Sequence, residues 1–443
     1  MRIVVLHAGG LGDLVLVETL FSALRERHPG ARVELVCRAD VAPIAGLYAQ
    51  PPDAVHEFDC NPYRWALPDD RTALQARAAL HRIERSPVDL FISAELRATW
   101  LSEILAAALA PAEAVIADEQ RPQPSDLLIL LGKLGLNRSP AVKRPAAIEN
   151  EHELDRYARL AGAAGRRLPA LRPMQAAASN ELVVFPLASS PINRWPLRDT
   201  GATALRVAAA RGATIAVIAG ERDHAELEAA AAAGVFGDTP QLVLGGRDEL
   251  PAVAARIAAA VGYLGIETGL VHLAAAYGRP GAAVYGGGYW PTYGPWAARS
   301  AAVVAPIPCF GCAWDCAFER PFCTEGVDVD SLVAAFEAAY AAADEPVVCT
   351  LDPYGPRERT IFEAAARVHR LAQHDRAERL TAITRLRDLL ARYARRTRVR
   401  RRRADAALDA LAEATERAAR QLEAAGASER RPGAGRGAAA DDQ

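Results

Sequence analysis

Residues 1–28 read MRIVVLHAGGLGDLVLVETLFSALRERH, and this stretch determines the fold class. An apolar run at residues 3–7 leads into a glycine-rich turn, HAGGLGD at residues 7–13, and residues 13–28 then show helical spacing. A buried strand, a tight turn and a helix are the first half of a βαβ unit, the building block of parallel sheets covered by helices. The opening therefore predicts an α/β domain.

The same alternation of strand and helix continues, with one interruption. Further strands are predicted at 33–37, 90–93 and 114–116. Between 162 and 179 the chain is rich in Gly, Arg, Pro and Ala, and the pattern then resumes with strands at 182–185, 214–219, 242–244, 261–266 and 282–285. We predict two Rossmann-like doubly wound domains, at residues 1–165 and 180–345, that face a cleft where ligands bind at the carboxyl ends of the strands.

The C-terminal part of the chain has a different composition. Residues 357–425 contain no Pro or Gly, which predicts a helical basic extension, and residues 426–443 predict a disordered tail. Eight arginines lie between Arg392 and Arg403. They fit either a solvated charged helix or a helix that contacts an anionic membrane.

Composition limits the class of protein. The 52 Lys and Arg residues nearly balance 54 Asp and Glu, so global charge does not indicate a nucleic-acid partner. The chain starts without the features of a signal peptide and has no apolar run of about 18 residues, so we expect a soluble, cytoplasmic protein without a transmembrane helix. Seven cysteines are too few for a disulfide scaffold in a chain of 443 residues.

The first motif with chemical content is the turn that holds Gly9, Gly10, Gly12 and Asp13. Glycines let the backbone turn tightly and let a ligand approach closely. A carboxylate at the start of a helix has two interpretations. Asp13 is a helix cap that stabilises by about 1 kcal/mol, or it is a general base that takes a proton from an attacking hydroxyl.

The second motif, GIETGLVHLAAA at residues 265–276, also joins a strand to a helix. Thr268 is placed to cap that helix, and the amides after it form an anion site suited to a diphosphate. His272 follows one turn later and is able to donate to a phosphate oxygen. The alternative is a structural histidine on an apolar helix.

Two further loops follow predicted strands. FPLASSPINRWP at 185–196 combines the Ser189 hydroxyl with Arg194, whose guanidinium suits phosphate oxygens; a surface loop anchored by Trp195 is the alternative. GGGYWPTYGPW at 286–296 suits a platform for a base or a sugar, and simple packing explains its aromatic residues equally well.

Four cysteines, Cys309, Cys312, Cys316 and Cys323, lie within 15 residues. Four thiols at such spacing are able to bind zinc or iron tetrahedrally. Reduced or disulfide-paired thiols are the alternative, and any metal here is expected to be structural.

In this order, the motifs resemble glycosyltransferase family 9, the ADP-heptose heptosyltransferases, over residues 1–342. The resemblance implies the GT-B arrangement, with an N-terminal acceptor domain and a C-terminal donor domain. It also implies an inverting mechanism without a catalytic metal or other required cofactor, ADP-heptose as donor and the lipopolysaccharide core as acceptor. Asp13 matches the family's catalytic base, and Thr268, Gly269 and His272 match its donor-binding loop.

Two positions depart from the family pattern. Asn193 stands where the family typically has a lysine, which leaves Arg194 as the candidate substitute, and Glu267 replaces an aspartate. We predict an inverting glycosyltransferase that transfers heptose from ADP-heptose to a glycolipid or other glycan acceptor, with Asp13 as base. The departures motivate the alternative, a non-catalytic GT-B-like binding or scaffold protein, which would neither transfer nor hydrolyse a donor.

Overall fold

The structure of the chain, a computed structural model, describes most of its first 371 residues. The described residues are 1–60, 62, 78, 81, 83, 86–117, 124–137, 142–175, 177–238, 240–245, 249–312, 316, 318, 320–341 and 344–371. They form two separate sheets, each flanked by helices.

The first sheet has six parallel strands in the order β3-β2-β1-β4-β5-β6. The strands are β1 (Arg2–His7), β2 (Arg32–Arg38), β3 (Ala54–Phe58), β4 (Leu90–Ser93), β5 (Glu113–Val115) and β6 (Val142–Lys143). Every residue of β1 is buried, as expected for a central strand covered on both faces. In the register of the sheet, Val4 lies between Glu34 of β2 and Phe91 of β4.

The second sheet has seven strands in the order β13-β12-β11-β10-β7-β8-β9. The strands are β7 (Glu181–Phe185), β8 (Thr214–Gly220), β9 (Gln241–Gly245), β10 (Gly262–Ile266), β11 (Gly281–Tyr285), β12 (Ser300–Val304) and β13 (Val347–Thr350). In both sheets the strand order reverses beside the first strand, between β1 and β4 and between β7 and β10. Doubly wound sheets bind ligands at the carboxyl ends of the strands at this point.

The helices of the described part connect and cover these strands. They are α1 (Leu11–Arg27), α2 (Trp100–Leu109), α3 (Pro124–Leu134), α4 (Glu153–Ala161), α5 (Leu197–Arg211), α6 (His224–Ala232), α7 (Leu250–Ala259), α8 (Gly269–Ala276), α9 (Phe322–Glu325), α10 (Val329–Ala341) and α11 (Pro356–Leu371). Three short 3-10 helices lie at Ala42–Leu47, Pro191–Asn193 and Glu221–Asp223. Among these residues, no helix combines the length and apolar character needed to cross a bilayer.

The predicted α/β architecture with two doubly wound domains is confirmed. All nine strands predicted from the sequence are present in the structure. Sequence patterns missed four strands, β3, β6, β12 and β13. Three of these, β3, β6 and β13, are outermost in their sheets, and β6 has only two residues, so these three lack the continuous apolar run of a central strand. β12 is buried throughout and was missed although it is apolar. Helix α1 begins at Leu11, two residues earlier than predicted.

Contacts along the chain define two compact units. The first consists of Met1–Tyr285, Trp290–Val303 and Asp328–Cys349, and the second of Gly286–Tyr289, Val304–Val327 and the chain from Thr350 onward. The domain boundaries expected near 165 and 180 stay a prediction; the intervening segment connects α4 to β7. Of the predicted extension at 357–425, residues up to Leu371 are described as part of α11. The remainder, including the arginine run and the tail at 426–443, lies outside the described residues.

Helix α11 is attached within the second unit by an aromatic cluster. The Phe362 ring lies 5.5 Å from the Phe322 ring and 5.1 Å from the Tyr354 ring, measured between centroids. Phe362 and Ile361 are buried. The first turns of the predicted extension therefore pack against Phe322 and Tyr354 of the second unit.

Candidate functional site

The N-termini of α1 and α8 meet, which brings two of the sequence motifs together. A Cβ atom added to Gly269 would lie 2.5 Å from the backbone nitrogen of Gly12. A Cβ atom on Gly12 would lie 2.9 Å from Cα of Gly269 and 3.0 Å from the His272 ring. Such distances are too short for real carbon atoms, so only glycine at both positions permits this approach.

Asp13 is the third residue of α1, and its carboxylate is held from two directions. It accepts a hydrogen bond from the Gly10 amide at 2.7 Å and another from the Tyr293 hydroxyl. A Cβ atom on Gly9 would collide with this carboxylate, so Gly9 makes room for it. Burial raises the pKa of Asp13, while the two hydrogen bonds lower it. The side chain therefore caps the helix and is also a desolvated carboxylate, which is a stronger proton acceptor.

His7, the last residue of β1, binds the glycine turn that precedes Asp13. Its Nδ1 accepts from the Gly9 amide at 3.0 Å, so Nε2 carries the proton and donates to the Tyr157 hydroxyl at 2.8 Å. Burial lowers the pKa of His7 to about 3, so the ring stays neutral at physiological pH.

A buried ion pair on α4 ties this region to the first sheet. The Arg156 guanidinium binds the Glu153 carboxylate, with Nε donating to Oε2 at 2.8 Å. It also donates to the backbone carbonyls of Ala94 and Glu95, which follow β4. Because Glu153 is fully buried, Arg156 neutralises a charge that would otherwise be costly there.

The helix start at α8 forms the other side of the site. Thr268 is the N-cap residue, but its hydroxyl makes no capping hydrogen bond, and its buried Oγ1 has no partner among the described residues. His272 Nδ1 accepts from the Trp296 indole at 3.1 Å, which leaves the proton on Nε2. Burial lowers the pKa of His272 to about 3, so the ring acts as a neutral hydrogen-bond donor.

The two positions that depart from the family pattern are in direct contact. Asn193 Nδ2 donates to the Glu267 carboxylate at 2.8 Å and to the Glu267 carbonyl at 3.1 Å. Burial raises the pKa of Glu267 to about 7, the Asn193 amide lowers it, and the nearby Asp13 carboxylate raises it. A neutral donor thus holds a carboxyl group that is partly protonated at neutral pH.

The remaining predicted donor residues lie in the loop after β7. The Arg194 guanidinium donates to Asp223 at 2.9 Å and to Glu226 at 2.7 Å. Ser189 is exposed. A phosphate would therefore have to compete with two carboxylates for Arg194, and the role of Arg194 as a phosphate ligand stays a prediction.

Sequence patterns missed several residues that surround Asp13 and His272. Tyr293 and Trp296 fall within the aromatic loop at 286–296, but nothing local distinguished them from packing residues. Arg156 lay in an ordinary helix, and Glu95 followed a short strand. Their contacts join positions far apart in the chain, so only an alignment of related sequences would have revealed them.

Glu95 is a fully buried carboxyl group beside the glycine turn. Its Oε2 accepts from Ser93 Oγ at 3.1 Å and from Thr99 Oγ1 at 2.9 Å, and the Ala8 amide also donates to the side chain. Its Oε1 has no partner among the described residues. Burial outweighs these donors and raises the pKa of Glu95 to about 7.

This raised pKa predicts a pH dependence of stability. Between the ordinary pKa of 4.5 and about 7, the folded state holds more protons than the unfolded state, so Glu95 makes the protein lose stability as pH rises through this window. We expect Glu95→Gln to reduce the loss between pH 5 and pH 8 by on the order of 2 kcal/mol. Urea unfolding at both pH values measures it, with Glu113→Gln, an exposed carboxylate, as control. An unchanged pH dependence in Glu95→Gln would contradict the assignment.

The four clustered cysteines lie in the second compact unit and are free thiols. Burial raises the pKa of Cys323 to about 11, and burial together with the neighbouring cysteines raises that of Cys309. Within the described part of the chain, no group of three or more His, Cys, Asp or Glu side chains is arranged to hold a metal ion. The thiols are thus close to one another but do not form a tetrahedral site in this arrangement.

Comparison with known proteins supports the family resemblance. The sequence model of glycosyltransferase family 9 (heptosyltransferase) matches residues 106–317. No curated protein matches the chain in sequence.

Several solved structures share the fold. ADP-heptose LPS heptosyltransferase II of E. coli is 16% identical, with 69% of this chain and 91% of that chain covered and a TM-score of 0.53. E. coli heptosyltransferase WaaC, solved with ADP-2-deoxy-2-fluoro heptose, is 20% identical over 69% of this chain and 94% of that chain, with a TM-score of 0.50. The family 9 glycosyltransferase from Veillonella parvula DSM 2008 is 16% identical over 68% and 85%, with a TM-score of 0.51.

At these identities the solved structures establish the fold, and the family match adds the class of enzyme. The two parallel sheets with flanking helices correspond to the GT-B arrangement of these structures. The resemblance expected from the ordered motifs is confirmed. The chain is therefore a glycosyltransferase that is similar to family 9 over residues 106–317 and shares the GT-B fold of these solved structures.

Proposed function

We propose that the chain is an inverting glycosyltransferase that transfers heptose from ADP-heptose to an acceptor hydroxyl, with Asp13 as general base. The observation that carries this proposal is the approach of Gly12 to Gly269, which brings the Asp13 carboxylate next to the start of α8. A base and an anion-binding helix terminus at one place are what displacement of a diphosphate by a hydroxyl requires.

The reaction consists of one displacement at the anomeric carbon. The acceptor oxygen forms a bond to this carbon while its proton passes to the Asp13 carboxylate. The bond from the anomeric carbon to the diphosphate oxygen breaks, and the nucleoside diphosphate leaves with the electron pair. Attack from the face opposite the leaving group inverts the configuration. Burial favours proton uptake by Asp13, because it makes the charged carboxylate less stable.

The start of α8 is the proposed site of the diphosphate. The backbone amides at the start of α8, the unpartnered Thr268 hydroxyl and the Nε2–H of His272 are hydrogen-bond donors suited to phosphate oxygens. Gly269, which has no side chain, lets the start of α1 approach this turn closely. Arg194 joins them only if the diphosphate displaces Asp223 and Glu226.

Donor and acceptor are inferred from the relatives. One related E. coli structure is named as a complex with an ADP-heptose analogue, which supports ADP-heptose as the donor. We propose a glycolipid or other glycan as acceptor, in the cytoplasm, with a role in lipopolysaccharide biosynthesis. Contact with an anionic membrane through the arginines at 392–403 also remains part of this proposal. That segment lies outside the described residues, so the contact rests on the sequence alone.

A donor panel tests the proposal. The full chain is incubated with ADP-heptose, other ADP-sugars and UDP-sugars, and thermal shift, donor hydrolysis and transfer to a lipopolysaccharide core acceptor are measured. A donor present at 100 times its dissociation constant should stabilise the fold by about 2.7 kcal/mol. Binding without hydrolysis or transfer would instead support the binding or scaffold protein.

The cysteine cluster gives a separate prediction. If Cys309, Cys312, Cys316 and Cys323 hold a structural zinc or iron, the purified protein should contain close to one metal ion per chain by elemental analysis, and Cys316→Ser should lose it. Metal-free protein of normal stability and activity would leave these residues as buried thiols and rule out the metal.

A further inference from the structure

We propose that the loop at residues 290–296 is a positioning element that couples the two sides of the site, with Tyr293 holding the Asp13 carboxylate and Trp296 holding the His272 ring. The inference rests on the proposed function and deepens it, because it assigns roles to two residues outside the motifs. Neither residue is required to touch a substrate, so both are positioning residues.

The first contact of the loop is made by Tyr293. Its hydroxyl donates to the Asp13 carboxylate, which the Gly10 amide binds from the side of α1. Two donors from different elements leave the carboxylate little freedom to rotate. A hydrogen bond to the charged form also favours ionisation, and Asp13 has to be ionised to accept a proton.

The second contact is made three residues later. Trp296 is buried, and its indole N–H donates to Nδ1 of His272. An indole nitrogen is able only to donate, so this bond selects the tautomer with the proton on Nε2. Without Trp296, nothing in the described structure would keep Nδ1 as the acceptor.

The loop is also attached to α4 and the residue before it. The Thr292 carbonyl accepts from the Glu153 amide at 3.0 Å, and the Gly294 carbonyl accepts from His152 at 3.2 Å. The Gly294 amide donates to the Pro291 carbonyl at 2.8 Å and closes a turn that contains both of these residues. Four loop residues thus bind groups from α1, from α8, and from α4 and the residue before it, and three residues of loop backbone link the hydrogen bond on Asp13 to the one on His272.

Several other groups act on the charge of Asp13 and have to be kept constant in a test. From α4, Arg156 lowers the pKa of Asp13, and Tyr157 interacts with it electrostatically. Glu267 precedes α8, and the neutral His7 ring lies beside the same glycine turn. Changing only the Tyr293 hydroxyl leaves all four in place.

The first experiment changes that hydroxyl. Tyr293→Phe removes a hydrogen bond that lowers the pKa of Asp13, so the acidic limb of the kcat profile should move to higher pH and kcat below neutral pH should fall at least severalfold. Affinity for ADP, measured by calorimetry, should stay within about twofold. Tyr354→Phe is the matched control, since its hydroxyl binds the Phe322 carbonyl in the other compact unit. A wild-type pH profile and kcat in Tyr293→Phe would overturn the role of Tyr293.

The second experiment changes the indole and has a readout independent of activity. In protein labelled with 15N-histidine, His272 should show the Nε2–H tautomer, and Trp296→Phe should shift or broaden this signal; His272→Gln identifies it. ADP affinity of Trp296→Phe should fall severalfold. An unchanged His272 signal would overturn the role of Trp296, even for a chain that transfers no sugar.

Coupling itself is tested by combining the two changes. If the loop acts as one element, the double variant should lose less kcat/KM than the product of the two single losses. A loss equal to that product would mean that Tyr293 and Trp296 act separately, which contradicts coupling. Absence of transfer by the wild-type chain, with every donor and with the histidine signals as expected, would overturn the proposed function and leave the loop contacts standing.

Discussion

Asp13→Asn should reduce kcat by about two to four orders of magnitude, the usual contribution of a general base. The amide keeps the size of the side chain and an oxygen that accepts from Gly10 and Tyr293, but it does not take up a proton. Affinity for ADP should change little, because the diphosphate binds at α8. Steady-state kinetics and calorimetry with ADP measure both quantities.

Asp199→Asn is the matched control for this variant. Asp199 is the third residue of α5, as Asp13 is of α1, and lies in the first turn of its helix. Both variants should lose a similar favourable interaction with the helix N-terminus, about 0.3–1 kcal/mol. Only Asp13→Asn should lose turnover. If both keep wild-type kcat, Asp13 is a helix cap and not the base.

Arg156→Met should lower the free energy of unfolding by about 3–5 kcal/mol, the usual cost of removing one partner of a buried ion pair. Arg156 is 6% exposed and Glu153 is fully buried, so the variant leaves the Glu153 carboxylate without its cation. It also leaves the carbonyls of Ala94 and Glu95 without their donor. Urea unfolding measures the loss.

Arg166→Met provides the comparison. Arg166 follows α4 in the chain and pairs with Asp155 of that helix, and both side chains are about 40% exposed. An exposed pair contributes about 0–1 kcal/mol. The double change Glu153→Gln and Arg156→Met should recover part of the stability, since it removes the unpaired charge. Equal losses in Arg156→Met and Arg166→Met would show that burial of the Arg156 pair has no energetic consequence.

Predictions from the sequence succeeded where the information is local. The run at residues 3–7 followed by the glycine turn predicted β1 and the start of α1, because hydrophobic periodicity and glycine placement reflect backbone geometry over a few residues. The same reasoning identified the connection from β10 to α8. It missed β12, although residues 301–304 are a buried apolar run, and it missed β13, whose four residues at the edge of the sheet alternate between half-buried and exposed.

The site was predictable only in part for the same reason. Gly12, Asp13, Gly269 and His272 stand at helix starts, where motifs are recognisable. The sequence did not predict that these residues lie close together, since the contact joins two segments more than 250 residues apart in the chain. The Asn193–Glu267 contact is a clear case. Each of these two departures from the family pattern was visible in the sequence. Only the structure shows that the Asn193 amide binds the Glu267 carboxylate.

By itself, the sequence determined the α/β class, the two doubly wound halves, the family resemblance and the helix starts that carry the candidate base and donor loop. The tertiary structure decided which groups surround them: Tyr293 on Asp13, Trp296 on His272, the Arg156–Glu153 pair beneath, and the engagement of Arg194 by Asp223 and Glu226. The physical reason is that strands, turns and helix termini follow from backbone preferences within a few residues. Burial, pKa and hydrogen-bond partners instead depend on which distant side chains the folded chain places in contact.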